Sequence, residues 1–167
     1  MVLVDASHPD QVARLLAALP PRAAENPAVA TFRAGLADTR PDPQEGFDFN
    51  RSAAQVRATR PLGSLPLVVL SHGRAPWPSD LPAGVTARLE RVWGALQDQL
   101  ARLSSDSVRV IARSSGHFVQ LDQPQLVIAA VQQVVEAARR HVALPSCART
   151  FPRLGGDCPT PKTRSNA

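Results

Sequence analysis

The chain has little of several things, and each shortage narrows what it can be. It has no tyrosine, and aromatic residues make up only 4% of its 167 positions. A nucleic-acid surface that interleaves basic and aromatic side chains is therefore absent. Lys162 is the only lysine, so almost all of the basic charge is arginine. Of the net charge of +5, residues 146–167 contribute +3, from Arg149, Arg153, Lys162 and Arg164 against Asp157. The other residues carry the difference, 5 − 3 = +2, which is too little and too scattered for a phosphate-binding stripe. No apolar run approaches the ~20 residues that span a bilayer. The N-terminus has no charged segment followed by a long apolar one, so no secretory signal is read there. The expectation is a soluble cytoplasmic chain with no nucleic-acid or membrane partner.

There are two cysteines, Cys147 and Cys158, both near the C-terminus. They form no paired CxxC, so no zinc site is expected. They read as free thiols in a disordered tail, with a disulfide as the alternative. No metal or cofactor motif stands out.

What is present is an alternation of strands and helices. MVLVD at 1–5 and PLVVLS at 66–71 are apolar runs of the kind found in buried parallel strands. VRVIA at 108–112 is a third. Residues 82–103 carry Val85, Leu89, Val92, Trp93, Leu96, Leu100 and Leu103 at a helical period. A last helix starts near Pro124, where the missing N–H costs nothing. Its inward face reads as Leu126, Val127, Ala130, Val131, Val134, Val135 and Ala138. Strand, helix, strand, helix implies a parallel α/β sheet. Between the first two strands, residues 9–60 mix short helical patterns with prolines. Gln11 to Leu19 has one apolar face, and DTRPDPQEGFDFNRS reads as loop or mobile helix. An insertion of that length has the character of a lid. Past Pro145 the composition turns to Pro, Gly, Ser and Arg, and disorder is expected.

His117 is the leading candidate for chemistry. It follows a strand and Gly116 and precedes a helix, at the sheet edge where ligands bind in open parallel sheets. Gly116 is expected to let the backbone turn sharply there. Asp122 is expected to cap the last helix. His141, beside Arg139 and Arg140, suits a helix C-terminus. Trp77 and Trp93 could line an acyl pocket or be plain core. His8 reads as a site wall or a solvent residue.

SSGHFVQLDQPQLVIAAVQQVV resembles the final catalytic segment of the α/β-hydrolase superfamily, LPLVVLSHGR the strand before it, and VLVDASHPDQ the strand that follows the nucleophile elbow. The resemblance spans residues 1–142, and residues 1–145 read as the C-terminal part of such a domain. It implies a partial parallel sheet with a helical lid, His117 as the base and Asp5 as the acid that orients it. Asp80, in the loop after Ser71, is the alternative acid. His72 in VVLSHG also resembles an oxyanion segment, but a G-x-S-x-G would then have to follow, and no such motif occurs in the chain. Ser71, Ser114 and Ser115 lack its glycines.

In the family's order the elbow precedes VLVD, so the implied serine lies before Met1. The resemblance implies hydrolysis of carboxylic esters or similar small substrates, with activity absent from these residues alone because a triad acts as a unit. Epoxide hydrolase, dehalogenase and acyltransferase remain open, since the nucleophile decides among them. Three readings follow: part of a larger hydrolase, a split enzyme completed by an N-terminal half or by self-association, or a non-enzymatic binding domain on the same scaffold.

Overall fold

A computed structural model describes residues 1–38, 40 and 47–159. Its elements are β1 (Val2–Val4), α1 (Gln11–Ala18), α2 (Pro27–Ala37), α3 (Phe49–Arg57), β2 (Leu67–His72), α4 (Ala83–Ala101), β3 (Ser107–Ala112), α5 (Val119–Asp122), α6 (Pro124–Arg140), α7 (Cys147–Thr150) and β4 (Gly156–Asp157). Short 3-10 turns cover Arg22–Ala24 and Phe151–Leu154. The chain is an α/β protein with one four-stranded open sheet in the order β1-β2-β3-β4. β1, β2 and β3 run parallel, and β4 pairs antiparallel with β3.

The contacts divide the chain into two units. The first holds the sheet and comprises residues 1–5, 63–74 and 104–167. Every residue of β2 is buried, as its unbroken apolar run requires of a strand covered on both faces. β3 alternates instead, with Val108, Val110 and Ala112 inward. These pack with Val68 and Leu70 of β2, with Leu126, Ala129 and Ala130 of α6, and with Phe151. Pro124 opens α6 as expected, and His141 closes it in the left-handed conformation (φ 54°). The buried face of α6 is narrower than its sequence suggests. Leu126, Ala129, Ala130 and Ala137 are inside, and Val127 and Val134 are half-buried. Val131, Val135 and Ala138 are exposed, because the small alanines bring the helix close along one line and leave its flank uncovered.

The expectation of disorder after Pro145 does not hold for residues 146–159. Cys147 and Cys158 form a disulfide rather than free thiols. Phe151, between them, is fully buried in the core, and β4 adds to the sheet. Composition hid this, since one aromatic anchor and one covalent bond replace the periodicity that marks longer elements. Residues 160–167 of the expected tail lie outside the described residues.

The second unit comprises residues 6–62 and 75–103. It takes in the 9–60 insertion and also α4, which the strand-helix alternation had assigned to the sheet layer. Leu15 and Leu19, Val29, Leu81, Val85 and Leu89 form its core. Asn26 caps α2 by accepting from the Val29 N–H at 2.9 Å, and Asp48 caps α3 by accepting from the Arg51 N–H at 2.9 Å. Residues 39 and 41–46 of DTRPDPQEGFDFNRS lie outside the described residues, and its last residues begin α3. No helix among the described residues is long and apolar enough to cross a membrane.

Candidate active site

Parallel pairing sets the site. Val4 lies opposite Leu70, and Leu70 opposite Val110, so β1, β2 and β3 leave the sheet at the same edge. Asp5 follows β1, His72 ends β2, and the 113–117 loop follows β3. The structure brings Asp5 and His117 together: Nδ1 of His117 is 2.8 Å from Oδ2 of Asp5. It adds a partner that the sequence reading had placed elsewhere. His72 donates its backbone N–H to Asp5 Oδ1 at 3.0 Å, and its Nδ1 lies 3.0 and 2.9 Å from the two carboxylate oxygens. The signal was available in the sequence, because two parallel neighbours ending at one edge place the residue after VLV beside the end of LVVLS. Reading VVLSHG as an oxyanion motif obscured it.

Asp5 is 1% exposed. Burial pushes its carboxyl up, but the hydrogen bond and charge of the His72 ring, the His72 backbone N–H and the bond from His117 together hold it below its ordinary value. It is therefore ionised and accepts only. Its enclosure suits a group that orients a base rather than one that meets a substrate. Its backbone has φ 43°, a left-handed conformation that a non-glycine residue adopts at a cost of about 1 kcal/mol or more. Gly116 does not have a positive φ, and the left-handed residue of this site is the acid.

The His117 loop is tied on three sides. Ser115 O accepts from the N–H groups of Gly73 and Arg74 at 3.1 and 2.9 Å. Asp122 accepts from the Gly116 N–H at 3.0 Å and the Ser115 hydroxyl at 3.1 Å. It braces this loop and does not cap α6, whose N-cap is Gln123 without a side-chain bond. Gln123 Oε1 accepts from the Ser114 N–H at 2.7 Å. Ser115 is thereby committed to structure. Ser71 is buried and accepts from Arg109 at 3.2 Å.

The remaining candidates lie in the helical unit. Asp80 is exposed and lines a surface cavity of 280 Å³ with Pro27, Thr31 and Phe32. Trp77 and Trp93 stack edge to face at 6.1 Å, and Trp77 does the same with Phe32. They form core packing. His8 Nδ1 accepts from the Asp10 N–H at 3.0 Å. Among the described residues no group of three or more His, Cys, Asp or Glu could hold a metal ion.

The arrangement holds one half-exposed imidazole with Nδ1 against a buried carboxylate, a geometry in which an imidazole can serve as a general base. Comparison with protein-family models, with curated proteins and with solved structures yields no significant match.

Proposed function

We propose that this chain is the acid–base portion of an α/β-hydrolase-type enzyme, acting on carboxylic esters or similar small acyl substrates. The observation that carries the reading is the 2.8 Å contact between Asp5 and His117 at the C-terminal edge of a parallel sheet. His117 takes a proton from a serine hydroxyl as that oxygen attacks the carbonyl, and returns it to the leaving alkoxide. Asp5 keeps Nδ1 protonated and balances the imidazolium while it exists. The serine comes from a segment with a G-x-S-x-G turn, a motif these residues do not contain.

Two features favour a complementing segment beside β1. β1 is an edge strand of only three residues, yet it carries the acid. Ile128, Val131 and Val135 of α6, which packs on β1 and β2, form an exposed apolar flank. Further strand and helix seated there would cover both.

The test is hydrolysis of a short-chain p-nitrophenyl ester. The purified chain and its His117→Ala variant are expected to show the same background rate. Joined to a segment bearing a G-x-S-x-G serine ahead of β1, the chain is expected to hydrolyse the ester, with loss of at least ~100-fold in His117→Ala. Activity of the chain alone that vanishes in His117→Ala would point to a different nucleophile within it. No activity after joining would leave a non-enzymatic binding domain.

A further inference from the structure

The Asp5 carboxylate has more donors than an acid serving one imidazole needs. Oδ1 takes the His72 backbone N–H at 3.0 Å, the His72 ring spans both oxygens at 3.0 and 2.9 Å, and Oδ2 takes His117 at 2.8 Å. An ionised carboxylate only accepts, so both ring nitrogens facing it carry hydrogen. The two imidazoles then differ in what surrounds them. The side chain of His72 is 1% exposed and that of His117 is 52% exposed. An enclosed ring cannot exchange a proton with a substrate, but it can hold the carboxylate that His117 meets.

We propose that His72 is the positioning residue of this site: it grips the Asp5 carboxylate at two points and thereby selects the Nδ1–H form of His117, turning Nε2 outward as the base. This rests on the reading of Asp5 and His117 as an acid–base pair.

One residue that donates from both its backbone and its ring fixes the plane of a carboxylate as well as its place. A single contact would leave the group free to rotate. The grip also explains how the left-handed turn at Asp5 persists. The Asp5 N–H bonds Leu70 O at 2.7 Å, and the side chain is returned to the next turn of the same strand by His72. The two bonds hold the residue from both ends in a conformation it would otherwise leave.

The segment after His72 carries the effect to His117. A Cβ at Gly73 would lie 2.6 Å from Ala112 O and 2.8 Å from the Arg113 Cα, so only glycine lets β2 and β3 leave the sheet this close together. Gly73 and Arg74 then donate to Ser115 O, two residues before His117. One short stretch, 72–74, therefore holds the acid by a side chain and the base's loop by its backbone.

The test uses NMR of the full 15N-labelled chain and needs neither substrate nor serine. Two-bond couplings from the ring protons distinguish Nδ1–H from Nε2–H. His117 of the natural chain is expected in the Nδ1–H form alone. His72→Ala is expected to lose that single-tautomer signal and give a mixture. His72→Asn, whose amide N–H stands near the position of Nδ1–H, is expected to restore it. A folded His72→Ala chain with the His117 tautomer unchanged would overturn the proposal. Should that variant not fold, a folded His72→Asn chain showing a mixture overturns it, and so does an Nε2–H His117 in the natural chain. The hydrolase reading fails separately, through absent ester hydrolysis after joining to a serine segment, whatever the tautomer result.

Discussion

At Asp5 the chain accepts an unfavourable backbone conformation and a buried charge in one residue, and three hydrogen bonds from two histidines compensate both. Removing the charge should therefore be expensive. Asp5→Asn places an amide N–H against donors that need an acceptor, and a loss of about 3 kcal/mol is expected in urea unfolding. A loss below about 1 kcal/mol would mean that the histidines do not depend on the carboxylate. Two nearby glycines make a sharper contrast. Gly73→Ala drives a Cβ into the Ala112 carbonyl and the Arg113 backbone, neither of which is the end of a flexible side chain. A cost of about 2 kcal/mol or more is expected. Gly116→Ala meets only Asp122 Oδ2, at 3.9 Å, and should change stability by less than ~0.5 kcal/mol. Comparable melting temperatures for the two variants would sink the account of why β2 can deliver His72. The sequence alone pointed to Gly116, because it adjoins the histidine of interest. The position that tolerates no side chain is Gly73, and only the pairing of β2 with β3 reveals it.

Among the elements, β1, β2, β3, α4 and α6 were legible in the sequence, and those after Pro145 were not. Five of the seven residues read as the face of α4, Val85, Leu89, Trp93, Leu96 and Leu100, are buried, Val92 is half-buried, and Leu103 lies past the helix end and is exposed; a 19-residue helix repeats its signal five times. β2 was equally plain, as an apolar run covered on both faces. The segment 147–159 repeats nothing. Its order comes from Phe151 in the core, from two residues of β4, and from the Cys147–Cys158 bond across a separation of 11 residues. Closing a loop of that length removes unfolded-chain entropy worth about 3 kcal/mol. Such a bond persists in oxidising compartments and opens in a reducing cytosol, so location sets whether this staple is closed. Reduction by dithiothreitol, or Cys147→Ser, is expected to lower the melting temperature by about 5–10 °C. The effect should extend to the His117 loop, since Gln123 donates to Leu154 O and Gly155 O at 3.4 and 3.3 Å while accepting from Ser114. Hydrogen exchange of the Ser114 amide should accelerate on reduction. An unchanged melting temperature would show that Phe151 holds the segment without the bond.

At the scale of the whole molecule, each unit carries a buried group whose protonation opposes folding, Asp5 in one and His8 in the other, and these two act in different pH ranges. His8, in the helical unit, accepts through Nδ1, and burial pushes its pKa below the ordinary 6.5 against a weaker pull from Asp10. Its contact with Asp10 at 4.0 Å is therefore not an ion pair at neutral pH. The unfolded chain binds this proton first, so stability falls as pH drops below 6.5. His8→Asn keeps an acceptor in place and should flatten that slope. Asp5, in the sheet unit, is held below the ordinary 3.8, so its contribution is intact above that value and is lost as pH falls through the folded one. Asp5→Asn should remove this second slope only. The two ranges can be separated by probe. Both tryptophans of the chain, Trp77 and Trp93, belong to the helical unit, whereas His117 reports on the sheet unit. If the units unfold independently, His8→Asn will move the urea midpoint reported by tryptophan fluorescence at pH 5 and leave the midpoint reported by the His117 ring signals where it was. If both probes move together in each range, the two units form one cooperative block, and a substitution at either histidine-bearing turn will be felt through the entire chain.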